Sequence, residues 1–172
     1  MASPLNPILK PFNRIRRHHG LEHATLQILS RHTTNPLAGY SDAAGFWIVG
    51  QVTTQDVQNA VEEALTRLKA GEARLAVHPN CGTNYAISGL FAATAAWLGM
   101  LGCEGGFKKR LDRLPTLVTL VTLTLILTAP LGMIVQARYT TCADPGSMEV
   151  IAITTHLRGP VPIHRISTRA GD

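Results

Sequence analysis

The run Leu114–Ala137, LPTLVTLVTLTLILTAPLGMIVQA, carries no charged side chain across 24 residues. A helix of about 20 apolar residues crosses the hydrocarbon core of a bilayer, so this stretch reads as a membrane helix. Ahead of it, Tyr85–Cys103, YAISGLFAATAAWLGMLGC, is again almost wholly apolar or small. Between them lies the polar connector Glu104–Arg113, with Gly105-Gly106 and four basic residues, Lys108, Lys109, Arg110 and Arg113. Helices joined by so short a link are antiparallel neighbours, and both outer ends then emerge on one membrane face. Gly89 with Ala93, Ala92 with Ala96 and Ala95 with Gly99 recur at four-residue spacing, which lets helix backbones approach closely in lipid. Thr119, Thr122, Thr124 and Thr128 can bond their own backbone carbonyls or reach across a helix interface.

Composition agrees with this placement. Charged residues make up 16% of the 172, against roughly 25% in soluble domains, which excludes long disordered regions and coiled coils. The net charge of +5 comes from basic residues too few and scattered for a nucleic-acid binder. It suits a membrane surface, with the lipid bilayer as the first partner and a membrane protein or a second copy as a further one. Three cysteines cannot all pair with one another, so no disulfide framework is implied.

The polar segments divide the chain further. Residues 1–17 contain Pro4, Pro7 and Pro11 and then Arg16-Arg17, and read as an extended basic arm against anionic head groups. His18–Arg31 has helical apolar spacing at Leu21, Ala24, Ile28 and Leu29. A loop marked by Asn35-Pro36, Gly39 and Gly45 follows, then a strand from Phe46 to about Val52. Thr53-Thr54 caps a helix whose apolar face is Val57, Ala60, Val61, Ala64, Leu65 and Leu68, ended by Gly71. Arg74–Val77 reads as a short strand. Beyond the hairpin, Glu149–Thr155 and Val161–Thr168 flank the turn Arg158-Gly159-Pro160 as a strand pair.

The expected architecture is an α+β membrane protein. A two-helix transmembrane hairpin (85–137) carries a small mixed α/β surface domain, formed by a helix-strand-helix-strand segment (18–84) and a strand-pair tail (138–172). The basic connector points to the cytoplasm by the positive-inside rule, but eight further basic residues lie within the first 84. That amino-terminal segment lacks a secretory signal. Both termini and the surface domain are therefore expected on the cytoplasmic face of a bacterial cell membrane.

Chemistry concentrates in two strings. His19, Glu22 and His23 form H-x-x-E-H within His18-His19-Gly20-Leu21-Glu22-His23. On a helix the two imidazoles lie one turn apart and can converge on one ion, with Glu22 beside them to take a proton from a metal-bound water. This is the inverted zinc-hydrolase pattern. The second string, His78-Pro79-Asn80-Cys81-Gly82-Thr83-Asn84, stands immediately before the first membrane helix. Either His78 or Cys81 could complete a site with His19 and His23, and zinc or another divalent transition metal accepts both donor types. Cys142 reads as structural. His156 and His164, on the strand pair, read as surface histidines, and His32 as a loop residue without a role.

Together the two strings resemble those of the uncharacterised bacterial YqhQ-like membrane proteins, which read approximately H-G-A-E-H-K and H-P-R-C-G-T-S-F. Here they are His19-Gly20-Leu21-Glu22-His23-Ala24 and His78-Pro79-Asn80-Cys81-Gly82-Thr83-Asn84-Tyr85. The departures are Ala24 for lysine, Asn80 for arginine and Asn84-Tyr85 for Ser-Phe. The similarity covers roughly residues 18–103 and implies a separate, shorter domain-of-unknown-function family related to that group, in which the two strings work as one unit. Three functions follow as expectations. The first is a membrane-anchored zinc-dependent, peptidase-like hydrolase with Glu22 catalytic and His19, His23 and His78 or Cys81 as ligands. The second is an assembly subunit of a membrane complex with a closed structural metal or none. The third is thiol chemistry at Cys81 with His78 or His23 as base.

Overall fold

A computed structural model describes residues 6–169, with their side chains from residue 11 onward. The chain divides into two compact units, Met1–His78 with Ala137–Asp172, and Pro79–Gln136.

The first unit opens with α1, Asn6–Leu29. The expected extended arm up to Arg17 is helical from Asn6, and Met1–Leu5 lie outside the described residues. Pro7 occupies the first turn, where a missing N–H removes no helical bond. Pro11 lies within the helix but near its start, so the two prolines that read as breakers are tolerated. Strand β1 (Ala38–Asp42) and strand β2 (Gly45–Val49) form a hairpin where the sequence suggested a loop followed by a longer strand. Asp42 Oδ1 accepts the Ala44 N–H at 2.8 Å and braces the turn.

Helix α2, Thr54–Lys69, starts with a capping box. Thr53 Oγ1 accepts from the Asp56 N–H at 3.1 Å, and the Thr53 N–H donates back to Asp56 Oδ2 at 3.3 Å, satisfying two otherwise orphaned donors. Its Val57, Ala60, Val61, Ala64 and Leu68 are buried, as the 3.6-residue spacing requires. The expected strand Arg74–Val77 is instead a 3-10 turn, Ala73–Ala76. Gln27 Nε2 donates to the carbonyls of Leu75 (2.8 Å) and Val77 (3.0 Å), and His23 bonds that of Ala76. Side chains of α1 thus satisfy this backbone, and it needs no strand neighbour.

Strands β3 (Glu149–Arg158) and β4 (Val161–Arg169) pair around Gly159-Pro160, the expected strand pair, with Gly159 at φ +66°. The sheet order is β1-β2-β4-β3 and every pairing is antiparallel. Among the described residues, each sheet neighbour is thus reached by a hairpin or by antiparallel return. Phe46 lies opposite Ile166 and Ile48 opposite His164 across β2 and β4. Phe46, Ile48 and Ile166 join Leu21, Ala24 and Ile28 of α1 and the apolar face of α2 in one core, where full burial of each large side chain contributes roughly 1.5–3 kcal/mol. His18 links helix to sheet: its Nδ1 donates to the Asp42 carbonyl at 2.7 Å and Thr168 Oγ1 donates to its Nε2 at 2.6 Å. Burial pushes the His18 pKa below its ordinary value.

In the second unit, α3 (Gly82–Met100), α4 (Phe107–Asp112) and α5 (Leu114–Val135) follow in order. Helices α3 and α5 are antiparallel. Gln136 Nε2 donates to Asn84 Oδ1 at 2.5 Å at one end, and Arg113 Nη1 donates to the carbonyls of Gly99 (2.9 Å) and Leu101 (3.1 Å) at the other. Thr119, Thr124 and Thr128 bond the carbonyls of Pro115, Leu120 and Thr124 within their own helix. Leu114–Thr140, α5 with the π turn Gln136–Thr140 that continues it, is one helix long and apolar enough to cross a membrane. Helix α3 falls short of that apolarity because its 19 residues begin with Gly82-Thr83-Asn84-Tyr85.

Candidate metal centre

His19 and His23 occupy successive turns of α1, with ring centroids 4.3 Å apart and ring planes at 61°. His19 Nδ1 lies 2.9 Å from the carbonyl oxygen of Thr140, and His23 Nδ1 lies 2.9 Å from that of Ala76. A carbonyl only accepts, so each Nδ1 carries the proton, and in the neutral ring the lone pair is on Nε2. Metal-binding histidines are commonly oriented in this way, with the second nitrogen donating to a main-chain carbonyl. The His78 ring is tilted toward His23, at a centroid distance of 5.8 Å. His23 is buried, while His19 and His78 are half-buried.

Two glycines make this arrangement possible. The chain after the π turn runs directly past α1, with the Cys142 N–H donating to the Arg16 carbonyl at 2.9 Å and Arg16 Nη2 donating to the Thr141 carbonyl at 3.2 Å. Gly20 faces the Cys142 carbonyl oxygen so closely that a β-carbon would overlap it. The glycine between His19 and Glu22 is thus what lets Thr140 come near enough to orient His19. Gly39 does the same for Glu22. A β-carbon on Gly39 would collide with the Glu22 carboxylate, and Ser41, two residues along β1, donates its hydroxyl to Glu22 Oε2. Glu22 is therefore buried and seated against β1.

Of the candidate residues, the first unit brings together His19, His23 and His78. Cys81 belongs to the second unit and caps α3, its Sγ accepting from the Thr83 N–H at 3.4 Å. None of the three cysteines is in a disulfide, and the Cys142 thiol donates to the Asp144 carbonyl. His156 is exposed as expected, but His164 is not a surface residue. It is 1% exposed, because β4 is an inner strand with this residue on the core face. His164 Nε2 lies 3.4 Å from Thr54 Oγ1, its Nδ1 has no hydrogen-bond partner among the described residues, and burial pushes its pKa down. Sequence reasoning missed Gln27, Ser41 and His18. Only His18 carried a signal, as a third histidine beside the motif.

Fold and site together define an α+β domain with an oriented histidine pair, interrupted in sequence by a helical unit containing one membrane-length helix. The chain belongs to the DUF6391 family, a domain of unknown function, which it matches over residues 14–153. An uncharacterised protein from Picosynechococcus sp. is 39% identical over 106 residues, covering 54% of this chain and 52% of the relative. The chain thus spans about half the length of that relative. No solved structure matches it.

Proposed function

We propose that the chain is a membrane-anchored, zinc-dependent hydrolase with peptidase-like chemistry. The observation that supports this reading is the pair of Nδ1–carbonyl bonds that leave the Nε2 lone pairs of His19 and His23 available as ligands. The third ligand of this proposal is Cys81 of the second string, a thiolate donor that zinc accepts beside imidazole. His78 is the alternative third ligand, three residues earlier in the chain. Zinc held there supplies Lewis acidity and a water that ionises near pH 7. Glu22, on the same helix, would be the residue to take that water's proton. The likeness of the two strings to those of YqhQ-like proteins supports treating them as one unit.

Hydropathy supports one crossing, by α5 with its continuation, and topology is what supports anchoring by a helix pair. β2 and β4 are neighbours in one sheet, so the chain before and after the helical unit lies on one side of any bilayer. A crossing by α5 therefore requires a return crossing, and α3 is the helix available for it. The surface domain then sits on one face, for which the eight basic residues among the first 84 favour the cytoplasm over the connector's four.

A second reading is a closed, structural metal in an assembly subunit of a membrane complex. The Ser41–Glu22 hydrogen bond favours it, because a carboxylate seated against β1 serves packing as well as catalysis. Metal analysis and X-ray absorption on detergent-purified protein separate the readings. The hydrolase requires near-stoichiometric zinc, lost in His19→Ala and His23→Ala, with three protein ligands and one light-atom solvent ligand. Four protein ligands select the structural centre. Wild-type protein without bound transition metal refutes both metal centres and leaves only an assembly subunit without metal.

A further inference from the structure

The connector of the helical unit encloses a cleft of about 290 Å³ lined by Gly102, Cys103, Glu104, Lys109, Asp112 and Arg113. That volume is at the lower edge of the roughly 300–1,000 Å³ of small-molecule sites, a fit for a polar headgroup. Lys109 Nζ donates to the Glu104 carbonyl at 3.4 Å, and Arg113 Nη1 donates to the carbonyls of Gly99 and Leu101. Main-chain carbonyls thus anchor both cations in the wall and leave their charge intact. Lys108 and Arg110 flank the cleft on α4 and raise the local charge to +2 against Glu104 and Asp112. On the same short helix Phe107 is 80% exposed and Leu111, one turn on, 52%. Basic residues beside exposed apolar ones, at the start of a membrane-length helix, match an anionic leaflet surface.

The two carboxylates add a further requirement. They repel a bare phosphate but accept hydrogen bonds from hydroxyls. We propose that this cleft binds the headgroup of an anionic, hydroxyl-bearing phospholipid of the phosphatidylglycerol type. Its phosphodiester sits on Lys109 and Arg113, and its hydroxyls donate to Glu104 and Asp112. The proposal rests on the membrane placement of the helical unit given above.

Native mass spectrometry of the full chain in detergent tests it, with phosphatidylglycerol, phosphatidic acid and phosphatidylcholine offered at equal concentration. One phosphatidylglycerol adduct is expected at several-fold higher occupancy than either other lipid. Lys109→Gln brings it to the phosphatidylcholine level, and Glu104→Gln with Asp112→Asn brings it to the phosphatidic acid level. Lys69→Gln, on α2, leaves it unchanged. Equal occupancy of phosphatidylglycerol and phosphatidylcholine overturns the proposal, as does a Lys109→Gln protein indistinguishable from Lys69→Gln. Equal occupancy of phosphatidylglycerol and phosphatidic acid overturns the hydroxyl contact. Flotation with pure phosphatidylcholine vesicles tests the membrane reading separately: a protein that does not float sinks that reading, whereas one that floats without headgroup preference sinks only the cleft.

Discussion

Replacing Gly20 by alanine sets two effects of opposite sign against each other. Gly20 is inside α1, where alanine is favoured over glycine by about 1 kcal/mol from helix propensity alone. Space reverses the sign. The added methyl overlaps the Cys142 carbonyl oxygen, and the backbone of residues 140–142 must move to admit it. That backbone is tied to α1 by three bonds: the Cys142 N–H to Arg16 (2.9 Å), Arg16 to Thr141 (3.2 Å) and His19 to Thr140 (2.9 Å). Each contributes on the order of 1 kcal/mol, and overpacking a tight site costs about 1–3 kcal/mol. Allowing for the propensity gain, the net loss is about 1–2 kcal/mol. For a chain of this length that lowers Tm by roughly 2–8 °C, which Trp47 fluorescence in the sheet can follow. For the proposed metal centre, affinity would fall about 10–100-fold as His19 loses its orienting carbonyl. Gly89→Ala is the control, since nothing lies within 4 Å of a β-carbon there. A Gly20→Ala protein as stable as the wild type, with undiminished metal affinity, refutes the close-approach argument.

Other outcomes follow from the same geometry. Burial holds the folded-state pKa of His164 below 6.5, so the unfolded chain takes up that proton first. Stability then falls as pH drops below about 6.5, by at most ~1.4 kcal/mol per pH unit for this group. His18 acts in the same direction, so His164→Phe should reduce, without abolishing, the Tm loss of metal-free protein between about pH 7.5 and 5.5; an unchanged acid loss counts against the assignment. Thr53→Ala removes the α2 capping box and should cost about 1 kcal/mol in denaturant titration, whereas Thr66→Ala, at an exposed site inside the same helix, should cost less. Ser41→Ala leaves the buried Glu22 carboxylate without its hydroxyl donor and should destabilise by about 1–3 kcal/mol, with Ser41→Thr recovering most of it. Equal stability of Ser41→Ala and wild type would mean that water replaces the hydroxyl.

Helix α2 was legible because a capping residue, an acidic first turn and a clean apolar face all agreed. The β3–β4 pair was legible from alternation around a Gly-Pro turn. The start of α1 was hidden by Pro7 and Pro11, which act as breakers in the middle of a helix but not in its first turns. β1 was hidden because Ala38-Gly39-Tyr40-Ser41-Asp42 contains few strand formers; its glycine and serine are there for Glu22, and site geometry overrode propensity. At the centre, the four-residue spacing of His19 and His23 could be read directly. The carbonyls of Thr140 and Ala76 that orient them could not, since any residue type supplies a carbonyl. The burial of His164 was equally unreadable, because it depends on β4 being an inner strand, which only the pairing decides.

That inner position of β4 also bears on how the protein is made. β2 is complete once Val49 is synthesised, but β4 begins at Val161, 112 residues later. At about 5–20 residues per second, Phe46 and Ile48 wait roughly 6–22 s on the ribosome for their covering strand. Every apolar residue of the helical unit emerges within that interval. The helical unit is thus complete before the domain closes, and a nascent chain that fails to turn back at its connector strands the last β-hairpin away from the half-built sheet it must finish.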